Sequence, residues 1–198
     1  MSAKRLSVAL FSVLILGNQA SAQTTHTVIL QAKRVQTKED SVKKNEEASL
    51  NVRKDALNPN MSWYSHPQQV EFIYASQTVE VSVRNNGEYA DSFELQVVFF
   101  VEDQENGERK VQDHFKKKLE FRPGSQVTKL VTSPVTRYSR QTMILNGEKK
   151  KIGSKPYGYL VVLADDAGPF KWSGSPEVAR VLVKVDDINT AIRDKKLK

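Results

Sequence analysis

Residues 78–103 read TVEVSVRNNGEYADSFELQVVFFVED, and their pattern decides the fold class. Val79, Val81 and Val83 alternate with Glu80, Ser82 and Arg84. A period of two places one apolar row on one face of a β-sheet. Asn85-Asn86-Gly87 interrupts the run with residue types that tolerate turn geometry. A second alternation follows, with Phe93, Leu95, Val97, Phe99 and Val101 on one side. Val98 and Phe100 occupy the other side, where a half-exposed strand would carry polar groups. The second strand therefore needs cover on both faces. The expectation is an antiparallel β core with an additional layer over one sheet.

The rest of the chain supplies more strands of the same kind. Val28, Leu30 and Ala32 mark a first strand over residues 26–35. Residues 36–47 are charged and nearly free of apolar side chains, which reads as a long hairpin loop or a frayed excursion. Val70, Phe72 and Tyr74 alternate into the central pair. Phe115, Leu119 and Phe121 share a face with Val111, leaving His114, Lys116, Lys118 and Glu120 to water. Residues 126–132 form a short strand, and residues 133–141 carry no clear pattern. Asn146-Gly147 is a strong hairpin signal with a lysine-rich return strand. Residues 157–164, YGYLVVLA, are apolar on both faces and suit a central strand.

The C-terminal segment should provide the extra layer. Ser175-Pro176-Glu177 has the residue order of a helix start. At about 100° per residue, Val178, Val181, Leu182, Val185, Ile188 and Ile192 fall on one stripe of about 120°. The expectation is one α-helix over residues 176–195, packed on the sheet face that holds Val98 and Phe100. The competing reading is a strand through Val181, Val183 and Val185, followed by a short helix opened by Asp186.

The first 22 residues stand apart. Lys4 and Arg5 precede an apolar run at residues 6–16, and Ala20-Ser21-Ala22 matches an A-x-A cleavage site. This is the pattern of a secretory signal peptide, with export to the periplasm or the extracellular space as the expectation. Cleavage would leave 176 of the 198 residues as one domain, with no stable membrane insertion. The chain has no cysteine, so disulfides, thiolate chemistry and Cys-ligated zinc are excluded.

The 30 Lys and Arg residues stand against 23 Asp and Glu, and without Lys4 and Arg5 the balance is 28 to 23. That modest excess fits a solvated mixed-charge surface, with a weak attraction for anionic polymers as the alternative. Export argues against a nucleic-acid partner.

No catalytic pattern emerges. His26, His66 and His114 are far apart, and HExxH, a phosphate loop and GxSxG are all missing. No cofactor and no metal site is expected. Asp165-Asp166 and Glu102-Asp103 with Glu105 are oxygen-rich enough for calcium, but they also read as turns. Aromatic residues in polar surroundings are the remaining candidates. Trp63 and Tyr64 lie in a Pro- and Asn-rich loop over residues 55–69, and Trp172 follows the 165–168 turn. Exposed and coplanar, their rings would stack on sugar C–H faces; otherwise they plug the core.

The run VEVSVRNNGEYADSFELQVVFFVED resembles the strand–turn–strand centre of bacterial immunoglobulin-like and fibronectin-III-like modules. The resemblance covers about 25 residues and involves core and turn positions only, so no functional residue carries over. It implies an immunoglobulin-like β-sandwich that works as a non-catalytic part of an exported protein. The functional expectation is an interaction module contacting a protein or glycan. The alternative is a carbohydrate-binding module that uses Trp63, Tyr64 and Trp172.

Overall fold

A computed structural model describes residues 26–35, 41–48, 68–140, 143–145 and 148–197. For residues 41–48, 68–70, 143–145 and 148–150 it describes the backbone. Thirteen strands are seen among these residues. The first four are β1 (Val28–Val35), β2 (Ser41–Ala48), β3 (Gln68–Ala75) and β4 (Thr78–Asn85). Next come β5 (Asp91–Asp103), β6 (Arg109–Phe121), β7 (Gln126–Thr132) and β8 (Thr136–Ser139). A small hairpin, β9 (Met143–Leu145) and β10 (Glu148–Lys150), precedes β11 (Ser154–Asp165) and β12 (Gly168–Gly174). Two helices, α1 (Pro176–Ala179) and α2 (Val185–Asp194), lead to the terminal strand β13 (Lys196–Leu197).

The protein is an antiparallel β-sandwich with helices on one outer face. The five-stranded sheet runs β12-β11-β5-β6-β13, and the facing sheet runs β1-β4-β7. Their inner faces enclose the first core, where Val79, Val81, Val83, Leu95, Val97, Phe99, Val161 and Leu163 are at most 1% exposed. The alternation of β4 and β5 thus packs as its period dictates.

The outer face of the five-stranded sheet bears a second core. Val98, Phe100, Leu160 and Val162 meet Val178, Leu182, Ile188 and Ala191 there. This is the cover that Val98 and Phe100 require. At α1 the approach is close: a Cβ on Gly158 would lie 2.2 Å from Ser175 Oγ and 2.9 Å from Val178 Cγ2. Only glycine at 158 lets the helix sit down on β11.

The second core corrects one expected face. A register shift in the β5–β6 pairing sets Phe99 opposite Asp113 and Phe100 opposite Val111. The extra residue, Gln112, turns Val111 onto the second core instead of the face it would share with Phe115.

A third sheet, β2-β3-β8, continues the β1-β4-β7 sheet beyond a common break. Val35 pairs with Thr78 on one side of it, and Ser41 with Ala75 on the other. Backbone groups freed at the break are satisfied locally. The Gln77 N–H donates to Ser133 Oγ at 2.9 Å, and the Ser133 N–H donates to the Gln77 carbonyl at 2.9 Å. Thr136 Oγ1 donates to the Ala75 carbonyl at 2.9 Å.

Two expectations need correction. Residues 41–48 form a strand, not a loop, because main-chain pairing to β3 requires no apolar side chains on an edge strand. The single helix over 176–195 is two short helices separated by residues 180–184. The β-branched Val181 and Val183 favour the break, and Asp187 opens a new helix by accepting the Lys184 N–H at 2.9 Å. The competing strand through residues 181–185 does not form either.

Candidate functional site

Three features of the sequence converge at one end of the five-stranded sheet. The helices cover Val98 and Phe100 but stop short of the earlier residues on the same face of β5, Ser92, Glu94 and Gln96. Across the ladder, Glu94 is paired with Lys118 and Ala164, and Gln96 with Lys116 and Val162. The α2 side chains Asn189, Ile192 and Arg193 form one wall. The β11–β12 turn, with Asp165, Asp166 and Pro169, forms the opposite rim. The result is an open trough of about 670 Å³.

Its floor is a hydrogen-bonded row. Gln96 Nε2 donates to Glu94 Oε1 at 2.5 Å, and Gln96 Oε1 lies 2.9 Å from His114 Nε2. Because an ionised Glu94 only accepts, the amide nitrogen of Gln96 faces it and the amide oxygen faces the histidine. His114 must then carry its proton on Nε2. Burial, reinforced by the charge of Lys116, pushes the His114 pKa down and favours the neutral ring. Lys116 Nζ stands 3.7 Å from Glu94 Oε1.

The rim is fixed from beneath by a second cluster. His26 Nδ1 lies 2.6 Å from Asp91 Oδ2, and Nε2 lies 3.0 Å from Asp165 Oδ2. The ring is 7% exposed, stacks on Phe170 with centroids 4.1 Å apart, and meets Phe93 edge-on. A neutral imidazole has one donor, whereas two ionised carboxylates require two. Burial alone would lower the His26 pKa, but the bonds to Asp91 and Asp165 outweigh it and the pKa is raised. Asp165 moves the other way: its bond to His26 holds the carboxyl below the usual range, and turn amides help. Those amides are the Ala167 and Gly168 N–H groups, which donate to Asp165 Oδ1 at 2.8 and 3.1 Å. His26 thereby ties the start of β5 and the β11–β12 turn to the N-terminal edge of β1.

Of the sequence-predicted site residues, Trp172 is the one among the described residues. Trp172 is half-buried, pairs with Val162 and packs against the second core. Trp63, Tyr64 and His66 lie outside the described residues. Both oxygen-rich segments are turn caps: Asp165 as above, and Asp103, whose Oδ1 accepts the Glu105 N–H at 2.8 Å. Among the described residues no group of His, Asp and Glu is arranged to hold a metal ion. No described helix is long and apolar enough to cross a membrane. Sequence reasoning missed His26 and the trough. His26 is 65 residues from Asp91 and 139 from Asp165, and no local spacing signals such a cluster.

No family model matches the chain, and no curated protein does. Among solved structures it is similar to DesR, a beta-glucosidase from Streptomyces venezuelae in complex with D-glucose, at 13% identity and a TM-score of 0.32, over 76% of this chain and 15% of that one. It is similar to a beta-D-glucoside glucohydrolase from Trichoderma reesei at 12% identity and a TM-score of 0.32, over 76% and 19%. A protein from Akkermansia muciniphila gives 11% identity and a TM-score of 0.24, over 82% of each chain. The chain spans less than a fifth of the two glucosidases. Likenesses at these TM-scores decide neither fold family nor function.

Proposed function

We propose that the protein is an exported, non-catalytic β-sandwich that works by surface contact in the periplasm or extracellular space. One observation carries this reading: among the described residues, both histidines and the trough carboxylate Glu94 are engaged in side-chain hydrogen bonds and ion pairs. Both ring nitrogens of His26 face carboxylates. His114 spends Nε2 on Gln96, and Glu94 faces both Gln96 and Lys116. A general base needs a free lone pair within reach of its proton, and His26 has none to offer. The trough above these groups is open to solvent, which supports binding over water-excluding chemistry. The signal-peptide pattern of residues 1–22 supports export.

The test is turnover. Exported, purified protein is incubated with glycoside, ester and peptide substrates, alongside a Glu94→Gln variant. The expected outcome is no turnover by either protein. Turnover by the wild type that Glu94→Gln abolishes would overturn the proposal. N-terminal sequencing of the same material should read Gln23 first; a product retaining residues 6–16 would make that segment an anchor.

A further inference from the structure

We propose that the trough between α2 and the β11–β12 turn binds a neutral, hydroxyl-rich oligosaccharide. The inference rests on the binding-module reading and gives it a ligand class. Size is the first argument: about 670 Å³ lies within the range of small-molecule sites. The second is the kind of polar group present. Glu94, Gln96, Asp166, Asn189 and Arg193 all end in planar groups with two or more hydrogen-bonding positions side by side. Vicinal hydroxyls, each both donor and acceptor, match that geometry.

Charge narrows the class. Lys116, Lys118 and Arg193 line the trough together with Glu94, Asp165 and Asp166, three cations and three anions. A polyanion would set its charges beside carboxylates, and a polycation beside ammonium groups; both juxtapositions are unfavourable. A neutral polyol uses both signs as hydrogen-bond partners. Ala164, Pro169 and Ile192 contribute apolar surface for the C–H face of a sugar ring.

The site is also held in place before any ligand arrives. Gln96 is 9% exposed and pinned between His114 and Glu94. The rim is fixed by His26 through Asp165. Groups already ordered lose less freedom on binding, which favours a weakly interacting ligand such as a sugar. The trough is thus the assigned sugar site.

The test maps binding by amide NMR shifts on the exported protein. Linear tetrasaccharides of glucose, xylose, mannose and N-acetylglucosamine are the neutral probes, and heparin is the anionic one. At least one neutral probe should saturably shift the amides of residues 92–96 and 189–193. Asn189→Ala and Asp166→Ala, both at exposed positions and therefore tolerated by the fold, should each weaken it about tenfold. Three results would each overturn the assignment: no neutral probe moves these amides, heparin alone does, or the shifts centre on residues 62–66. Chromatography of the same samples separates the two proposals. Shorter sugars released from a bound probe would sink the non-catalytic reading and leave the sugar site standing. Failure of every neutral probe to bind leaves the contact-module reading standing on a protein partner.

Discussion

His26 shows how one side chain can tie distant parts of a sandwich together. Its imidazolium serves Asp91 at the start of β5 and Asp165 at the end of β11, with Phe170 and Phe93 against the ring. Two charge-assisted bonds in a ring only 7% exposed are strong by protein standards. His26→Ala should cost about 2–4 kcal/mol, since it also leaves two carboxylates without their cation. The pH dependence has a defined sign. The folded-state pKa of His26 is raised above 6.5, so its contribution is full below that value and is lost as pH rises through the folded pKa. Asp165 is lowered below 3.8, so its contribution is present above that value and is lost as pH falls through the folded one. Stability from this cluster therefore peaks in weakly acidic solution. Urea midpoints at about pH 5.5 and about pH 8.5 should differ more for the wild type than for His26→Gln. Equal differences would mean that the ring is neutral in the folded protein.

At the scale of elements, the C-terminal segment separates what a hydrophobic pattern specifies from what it leaves open. Of the stripe, Val178, Leu182 and Ile188 are buried and Val181, Val185 and Ile192 half-buried, while the buried Ala191 lies off it; the continuous helix it implies does not form. Burial constrains which side chains face the sheet, and a helix–turn–helix path satisfies that constraint as well as one helix does. Leu182 is 5% exposed and Val183 is 68% exposed. Leu182→Ala should cost about 2–5 kcal/mol, whereas Val183→Lys should change stability by less than about 1 kcal/mol. Denaturant midpoints of the two variants check the contrast, and a more damaging Val183→Lys would place that residue in the core. Asp187 is the signal that periodicity overlooks. Its carboxylate accepts the Lys184 N–H, and Asp187→Ala should lower stability by about 1 kcal/mol, with a matching loss of α2 helicity by circular dichroism. Strand β2 carries the same lesson from the other side: an edge strand held by its main chain leaves no apolar mark in the sequence.

Across the whole molecule, the sandwich was legible because burial on two faces of a strand leaves a continuous apolar run. The FELQVVFFV and YGYLVVLA segments did become the adjacent central strands β5 and β11. The trough and its supporting cluster were not legible, because they are made by residues from β5, β6, α2, the β11–β12 turn and the N-terminal edge, which only the tertiary fold assembles. The same central strands set how the protein should unfold. Val97 and Phe99 enter the first core while Val98 and Phe100 enter the second, and Val161 and Leu163 are matched in the same way by Leu160 and Val162. Neither core can lose its wall without exposing the other. One cooperative transition is therefore expected. Trp172 reports on the second core, because it packs there, and far-ultraviolet circular dichroism reports on the sheets. In a Trp63→Phe background, which leaves Trp172 as the sole tryptophan, the two signals should trace the same urea curve. A fluorescence change that precedes the loss of sheet would show that the helical layer opens as a separate unit, and the shared-wall argument would then fail.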